Sequence, residues 1–153
     1  MSLPTLLLVE DSPEDAALIT AALRRALPAN PIEVCDSGEA ALDFLHARGE
    51  YSHRPAHELP ALILLDLNLP RMSGFDVLRE LRKSTRTRLL PVIVLSASVE
   101  QVDVTRACEL GANSYVRKSL DYVRLSENLD LLARYWLGLN IAPPVHSPRL
   151  VLQ

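Results

Sequence analysis

Residues 61–66, Ala61-Leu62-Ile63-Leu64-Leu65-Asp66, decide the fold. Five consecutive apolar residues run into an acid with no polar residue between them. A strand with one wet face would alternate apolar and polar side chains. An unbroken run of this length reads instead as a central parallel strand covered on both faces. Parallel strands need crossover connections, usually helical, so the flanking chain should alternate between strand and helix.

It does so on both sides. Toward the N-terminus, residues 5–9 are β-rich and end at Glu10 and Asp11. Residues 13–27 follow as a helix, with Ser12 as N-cap, Pro13 at the first helical position, and Ile19, Ala22, Leu23, Ala26 and Leu27 as its buried stripe. Residues 32–35 form a short strand. Residues 37–46 form a second helix with Ala40, Ala41, Phe44 and Leu45 facing inward. Residues 49–60 are a long polar connection holding two prolines and two histidines.

Toward the C-terminus, residues 68–73 form a turn-rich loop around Pro70, and residues 74–83 a third helix. Residues 91–95 are the fourth strand. Residues 99–110 are the fourth helix, closed by Gly111 as a C-cap. Residues 113–117 and 121–137 give the last strand and helix. Five strand–helix units predict an α/β fold with a doubly wound, five-stranded parallel sheet.

The 153 residues fit one domain with a full core. With 48% hydrophobic and 23% charged residues, the balance is that of an ordinary globular chain and shows no sign of wholesale disorder. The net charge of −3 gives no basic footprint, so no nucleic-acid partner is expected. The apolar runs are too short to span a bilayer, and Glu10 and Asp11 break up the only stretch that a signal peptide could use. Cys35 and Cys108 form no CxxC pair and read as small buried residues in a reducing, cytoplasmic setting. His53 and His57 lie four apart but in a proline-containing loop with no third ligand in view, and His46 and His146 read as surface residues.

Three acids stand at strand ends: Glu10 and Asp11 after the first strand, Asp66 after the third. In an open α/β sheet, ligands bind beyond the carboxyl ends of the strands, where the strand order reverses. For the order 2-1-3-4-5 this lies between strands one and three, so all three carboxylates converge on one cleft. Clustered carboxylates repel, and either raise a pKa or recruit a hard cation; Mg²⁺, which wants oxygen ligands, is the natural guest. Ser96 ends the fourth strand and Lys118 the fifth. Carboxylate nucleophile, metal, lysine and hydroxyl are together what phosphoryl transfer to an aspartate needs.

The segments LLLVEDSPED, LILLDLNLPRMSG, VIVLSAS and GANSYVRK resemble the response-regulator receiver family, over residues 5–137. Asp66 precedes Ser96 by 30 positions, and Ser96 precedes Lys118 by 22, as in that family. The resemblance implies a flavodoxin-like receiver fold with the strand order above. It implies that Asp66 accepts a phosphoryl group, that Asp11 and Asp66 ligate Mg²⁺ with the Asn68 backbone carbonyl, and that Glu10 helps through water. Ser96 would bond the phosphoryl oxygens and Lys118 pair with them; Ser96 and Tyr115 would form the switch. One departure stands out: the family usually has proline after this lysine, often after a cis peptide, and here the residue is Ser119. A cis bond without proline costs about 2.5–4 kcal/mol, so the loop should be trans or strained.

Residues 1–138 are read as the receiver domain and 139–153 as a C-terminal tail or dimerisation arm, with no output domain. Output then comes from surfaces. Tyr122, Leu125, Leu129, Leu132 and Trp136 form one apolar stripe of the fifth helix, and Leu131, Tyr135 and Leu139 form a second. The second stripe predicts a partner or dimer interface. The resemblance implies a homodimer through helix four, strand five and helix five, to which Val99 and Val102 would contribute, and the tail, with Pro143, Pro144, Val145, Leu150, Val151 and Leu152, would form an arm across a partner subunit. The long connection before strand three, the DLNLP sequence and the extended C-terminus resemble the small receivers that partner phytochrome-type sensor histidine kinases. A phosphotransfer protein is a further expected partner.

Two other classes stay open. Phosphatases with an aspartate nucleophile also use Mg²⁺, lysine and a hydroxyl, but they carry a second acid two residues on, where this chain has Asn68. A phosphorylation-independent binding platform is the other, against which the intact acid, lysine and serine set speaks. The leading expectation is a signalling protein and no enzyme beyond self-phosphorylation and slow autodephosphorylation.

Overall fold

The computed structural model describes residues 3–143. Five strands, β1 (Leu6–Val9), β2 (Ile32–Cys35), β3 (Leu62–Leu65), β4 (Val92–Ser96) and β5 (Ser114–Arg117), form one parallel sheet in the order β2-β1-β3-β4-β5. The expected topology and strand order are therefore present. In register, Leu6–Val9 of β1 face Leu62–Leu65 of β3 residue by residue, and Ile63–Leu65 of β3 face Val92–Val94 of β4. All of β1, β3 and β4 is buried, while β5 is half-exposed, as an edge strand should be.

Side chains alternate across the sheet, so each unbroken run feeds two cores. Leu7, Val9, Ile63, Leu65 and Val92 pack on one face against α2 (Gly38–Leu45) and α3 (Gly74–Lys83). Leu6, Leu8, Leu62, Leu64, Ile93 and Leu95 pack on the other against α1 (Pro13–Ala26) and α5 (Tyr122–Arg134). Fully burying each such side chain is worth about 1.5–3 kcal/mol, which explains why the three central strands are apolar throughout except for Ser96 at the end of β4.

Helix starts follow local chemistry. Ser12, Ser37 and Ser73 accept hydrogen bonds from Asp15 N, Ala40 N and Asp76 N, and Asp76 returns a bond to the Ser73 backbone as a capping box. Ser37 is therefore a cap and not the first helical residue. Helix α4 spans only Gln101–Glu109, two residues shorter at its start than expected. The reason is Ser98: its hydroxyl accepts Glu100 N and donates to Asp103 Oδ2 at 2.6 Å, holding 98–100 as an entry loop. Gly111 ends the helix with φ +104, where a side chain would be strained. Helix α5 stops at Arg134 and continues as a π turn, Tyr135–Leu139, so the expected helical end at 137 falls inside that turn.

The ends of α3, β4 and α4 are clasped by Arg82. Its guanidinium donates to the carbonyls of Gly111 (2.8 and 3.0 Å), Leu90 (2.9 Å) and Arg88 (3.0 Å) and to Asn113 Oδ1 (3.0 Å). Asn113 Oδ1 also accepts Val92 N, tying the start of β4 to the start of β5. Cys35 is buried as expected; Cys108 is exposed instead, because α4 buries only Ala107 and turns Cys108 toward solvent. No described helix is long and apolar enough to cross a membrane.

Candidate functional site

The carboxyl ends of β1, β3, β4 and β5 open into a cleft of about 610 Å³. Glu10, Asp11, Asp66, Asn68, Ser96 and Lys118 all line it. The parallel register explains this: each residue follows or ends a strand, and the strands end at one level. Asp66 N donates to Val9 O, and Lys118 N to Ser96 O at 2.7 Å, so the ladder itself sets the height of both residues.

Glu10, Asp11 and Asp66 can each bring one carboxylate oxygen to within 4.8 Å of the others, and no other described residues group in this way. His53 and His57 are not part of such a group. Glu10 and Asp66 are buried, whereas Asp11 is exposed at the mouth. An all-oxygen set opening to water on one side fits a hard divalent cation that keeps part of its hydration shell.

Lys118 reaches into this cluster. Its Nζ lies 2.7 Å from Glu10 Oε1, 3.0 Å from Asp15 Oδ2 and 3.4 Å from Asp66 Oδ2. The Glu10 side chain is 1% exposed, Asp66 7%, Lys118 13% and Asp15 41%. Burial alone would lower the lysine pKa, but the bonds from Glu10 and Asp15 and the charge of Asp66 outweigh it and hold the ammonium above its usual value. Burial pushes the Glu10 carboxyl up to about 7; the Lys118 bond works against this and the charge of Asp66 adds to it.

Asp66 Oδ1 accepts Asn68 N at 3.3 Å, leaving Oδ2 toward Lys118. Ser96 is buried, and its hydroxyl accepts Ser98 N at 3.1 Å. Tyr115 packs against Leu67, Phe75, Val94 and Ala107, and its hydroxyl donates to Ser98 O at 2.8 Å. Ser98 thereby bridges the Ser96 hydroxyl, the Tyr115 ring and Asp103 on α4. The Lys118–Ser119 bond is trans, since no cis peptide occurs among the described residues. Ser119 turns the loop by another route, its hydroxyl accepting Asp121 N at 3.2 Å.

Two residues at the site escaped the sequence reading, and a third was placed beside it without its contacts. Asp15 stands on the first turn of α1, three residues after its cap, and its contact with Lys118 spans most of the chain. Gly74 opens α3 directly under Asp66: a Cβ there would meet Asp66 O at 2.3 Å. Its position after a capping serine was the available signal. Ser98 could be placed near the site, but its three-way bonding could not.

The expected interface residues Val99, Val102, Leu131, Tyr135 and Leu139 are all exposed. Leu125, Leu129 and Leu132 are buried, with Tyr122 and Trp136 packed beside them. Of the expected arm, Ile141 and Pro143 are described, whereas Pro144, Val145, Leu150, Val151 and Leu152 lie outside the described residues.

A 2-1-3-4-5 sheet with an acid trio, lysine and serine at its strand ends defines a receiver. Residues 6–130 match the response regulator receiver domain, and the chain belongs to that family. It is 39% identical over 140 residues to the probable methanogenesis regulatory protein FilR2 of Methanothrix harundinacea, covering 90% of this chain and 86% of that one. It is 36% identical over 132 residues to the response regulator Rcp1 of Synechocystis, covering 86% and 88%. The phosphorylated cyanobacterial phytochrome response regulator RcpA superposes with a TM-score of 0.86 at 32% identity, covering 93% of this chain and 99% of that one. The Mn²⁺-bound form of Rcp1 gives 0.80 at 34%, covering 92% and 99%.

Proposed function

We propose that this chain is the phospho-acceptor of a two-component relay, charged on Asp66 by a sensor histidine kinase of the phytochrome type. The observation that carries this reading is Lys118 Nζ, held 3.4 Å from Asp66 Oδ2 inside a buried acid cluster. An aspartate beside a committed cation and two further acids is arranged to receive an anion that brings its own charge. In the transfer, an Asp66 oxygen forms the new P–O bond as the P–N bond of the donor phosphohistidine breaks, its electron pair returning to the imidazole. Lys118 offsets the charge on the phosphoryl oxygens, and the Ser96 hydroxyl donates to one of them. Asp11, Asp66 and the Asn68 carbonyl would hold Mg²⁺, with Glu10 acting through water. The ion supplies charge neutralisation at the phosphoryl group. The Mn²⁺ bound in Rcp1 supports a divalent metal, and the likeness to RcpA, a phytochrome response regulator, supports the kinase type.

Phosphorylation draws on Ser96 and, through Ser98, on Tyr115 and α4. The altered face carries Val99, Val102, Leu131, Tyr135 and Leu139, which we read as a homodimer interface. The chain acts as a cytoplasmic signalling protein, not as an enzyme on external substrates, and it can hand its phosphoryl group to a phosphotransfer protein. Intact mass after incubation with Mg²⁺ and acetyl phosphate tests the core of this. The wild type should gain one phosphoryl group and Asp66→Asn none; a wild type that gains none, or a mutant that gains it equally, overturns the reading.

A further inference from the structure

Lys118 is shared among more acceptors than its chemistry allows once a phosphoryl group arrives. An ammonium has three N–H donors. Here Glu10 and Asp66 accept hydrogen bonds from Nζ at 2.7 and 3.4 Å, and Asp15 Oδ2 stands as an ion-pair partner at 3.0 Å. A phosphoryl oxygen arriving on Asp66 must compete with the remaining acceptors for Lys118. Glu10 is buried and holds the shortest contact, so parting it from its cation would strand a carboxylate away from water. Asp66 is the group being modified. Asp15 differs from both: it is 41% exposed, sits on the first turn of α1 and can turn into solvent. Its release costs little, because a partly exposed ion pair is worth little.

We propose that Asp15 is a positioning residue that acts as a brake: it competes with the incoming phosphoryl group for Lys118 and slows charging of Asp66. Its carboxylate also adds a fourth negative charge beside Glu10, Asp11 and Asp66, against an anionic donor. Lys118 does not depend on Asp15 for its place, since the 2.7 Å bond to Glu10 holds the ammonium over the cleft without it. Removing the Asp15 charge therefore weakens one competitor for the ammonium while leaving the lysine where it is needed. The inference rests on Asp66 being the phospho-acceptor and deepens that reading.

The test compares wild type, Asp15→Asn and Glu14→Gln for phosphoryl uptake from acetyl phosphate, followed by intact mass at saturating Mg²⁺. Glu14 is exposed on the same turn and is not among the partners of Lys118, so it controls for charge alone. Asp15→Asn should charge about two- to five-fold faster, the range an exposed pair supplies. Glu14→Gln should stay close to wild type. A second readout needs neither metal nor phosphate: urea unfolding of the metal-free protein in a double-mutant cycle of Asp15→Asn and Lys118→Met. Coupling of about two- to five-fold in the folding constant is expected, and additivity removes the contact on which the brake depends. Asp15→Asn charging at or below the wild-type rate would overturn the proposal, as would an equal gain from Glu14→Gln. If the Asn variant fails to fold, Asp15→Ser is read by the same assays. A wild type that takes up no phosphoryl group overturns the parent reading as well, whereas normal uptake with an unchanged Asp15→Asn overturns the brake alone.

Discussion

Replacing Gly74 by alanine should damage the acidic cleft from beneath, without changing any of the side chains that line it. The added Cβ would lie 2.3 Å from Asp66 O, 2.6 Å from Leu67 Cα and 3.0 Å from the Asp66 carbonyl carbon. All three are backbone atoms, so no side-chain rotation relieves the overlap. Reaching ordinary contact needs a shift of roughly 1 Å between α3 and the 66–67 segment, and overpacking of this kind costs about 1–3 kcal/mol. The shift also weakens the 2.9 Å bond from Gly74 N to Leu67 O, worth about 1 kcal/mol. Alanine returns at most about 1 kcal/mol of helix propensity, and less at a first-turn position. The net loss is about 1–4 kcal/mol, read as a fall in the urea midpoint at unchanged slope. Because Asp66 itself is displaced, phosphoryl uptake by the folded fraction should fall as well. A Gly74→Ala protein within about 0.5 kcal/mol of wild type and charged at the normal rate would refute this account of the glycine.

Two further perturbations follow from the same geometry. The Glu10 carboxyl is pushed up to about 7 in the folded protein, so between the ordinary carboxylate range and that value the folded state keeps a proton that the unfolded chain has lost. Stability of the metal-free protein should therefore decline by on the order of 2–3 kcal/mol as pH rises through that window, and level off above it. Urea unfolding at pH 5 and pH 8 reads the decline, and Glu10→Gln should flatten it; an equal slope in the mutant would assign the effect elsewhere. Arg82→Ala should cost about 3 kcal/mol, because it leaves the Gly111 and Leu90 carbonyls without their charged donor. Arg82→Lys should recover only part of this, since an ammonium cannot span both ends of the clasp, and full recovery would contradict the clasp.

The sheet was legible because its central strands are covered on both faces: unbroken apolar runs at 6–9, 62–65 and 92–95 mark them as interior strands of a parallel sheet. The site was legible for a related reason. In a parallel sheet the strand ends coincide, so Glu10, Asp11, Asp66, Ser96 and Lys118 were brought together by topology before any side chain was placed. What sequence could not supply were contacts made by tertiary proximity alone. Nothing around Asp15 marks it as a partner of Lys118, and Gly74 reads as an ordinary helix start until Asp66 is found above it. The start of α4 was misplaced because the Ser98 side chain competes with the helix for backbone groups, an effect that hydrophobic periodicity does not register.

The uneven packing of the helices gives the signal a direction. Helices α1 and α5 are fastened to the sheet by Ile19, Leu23, Leu125 and Leu129, all fully or almost fully buried, and moving either would expose large apolar side chains. Helix α4 buries only Ala107. It is held to the site by the Ser98–Asp103 bond at 2.6 Å, the stacking of Arg106 over Phe75 at 4.2 Å and the small apolar contact of Ala107 with Leu67, Phe75 and Val94. Displacing it costs hydrogen bonds that water can replace, where displacing α1 or α5 would cost core. A pull on the Ser96 hydroxyl reaches Ser98 first, and among the described residues Ser98 is bonded onward to Tyr115, Glu100 and Asp103 at the start of α4. The response to phosphorylation should accordingly concentrate on the α4–β5 side, where Val99 and Val102 already stand exposed.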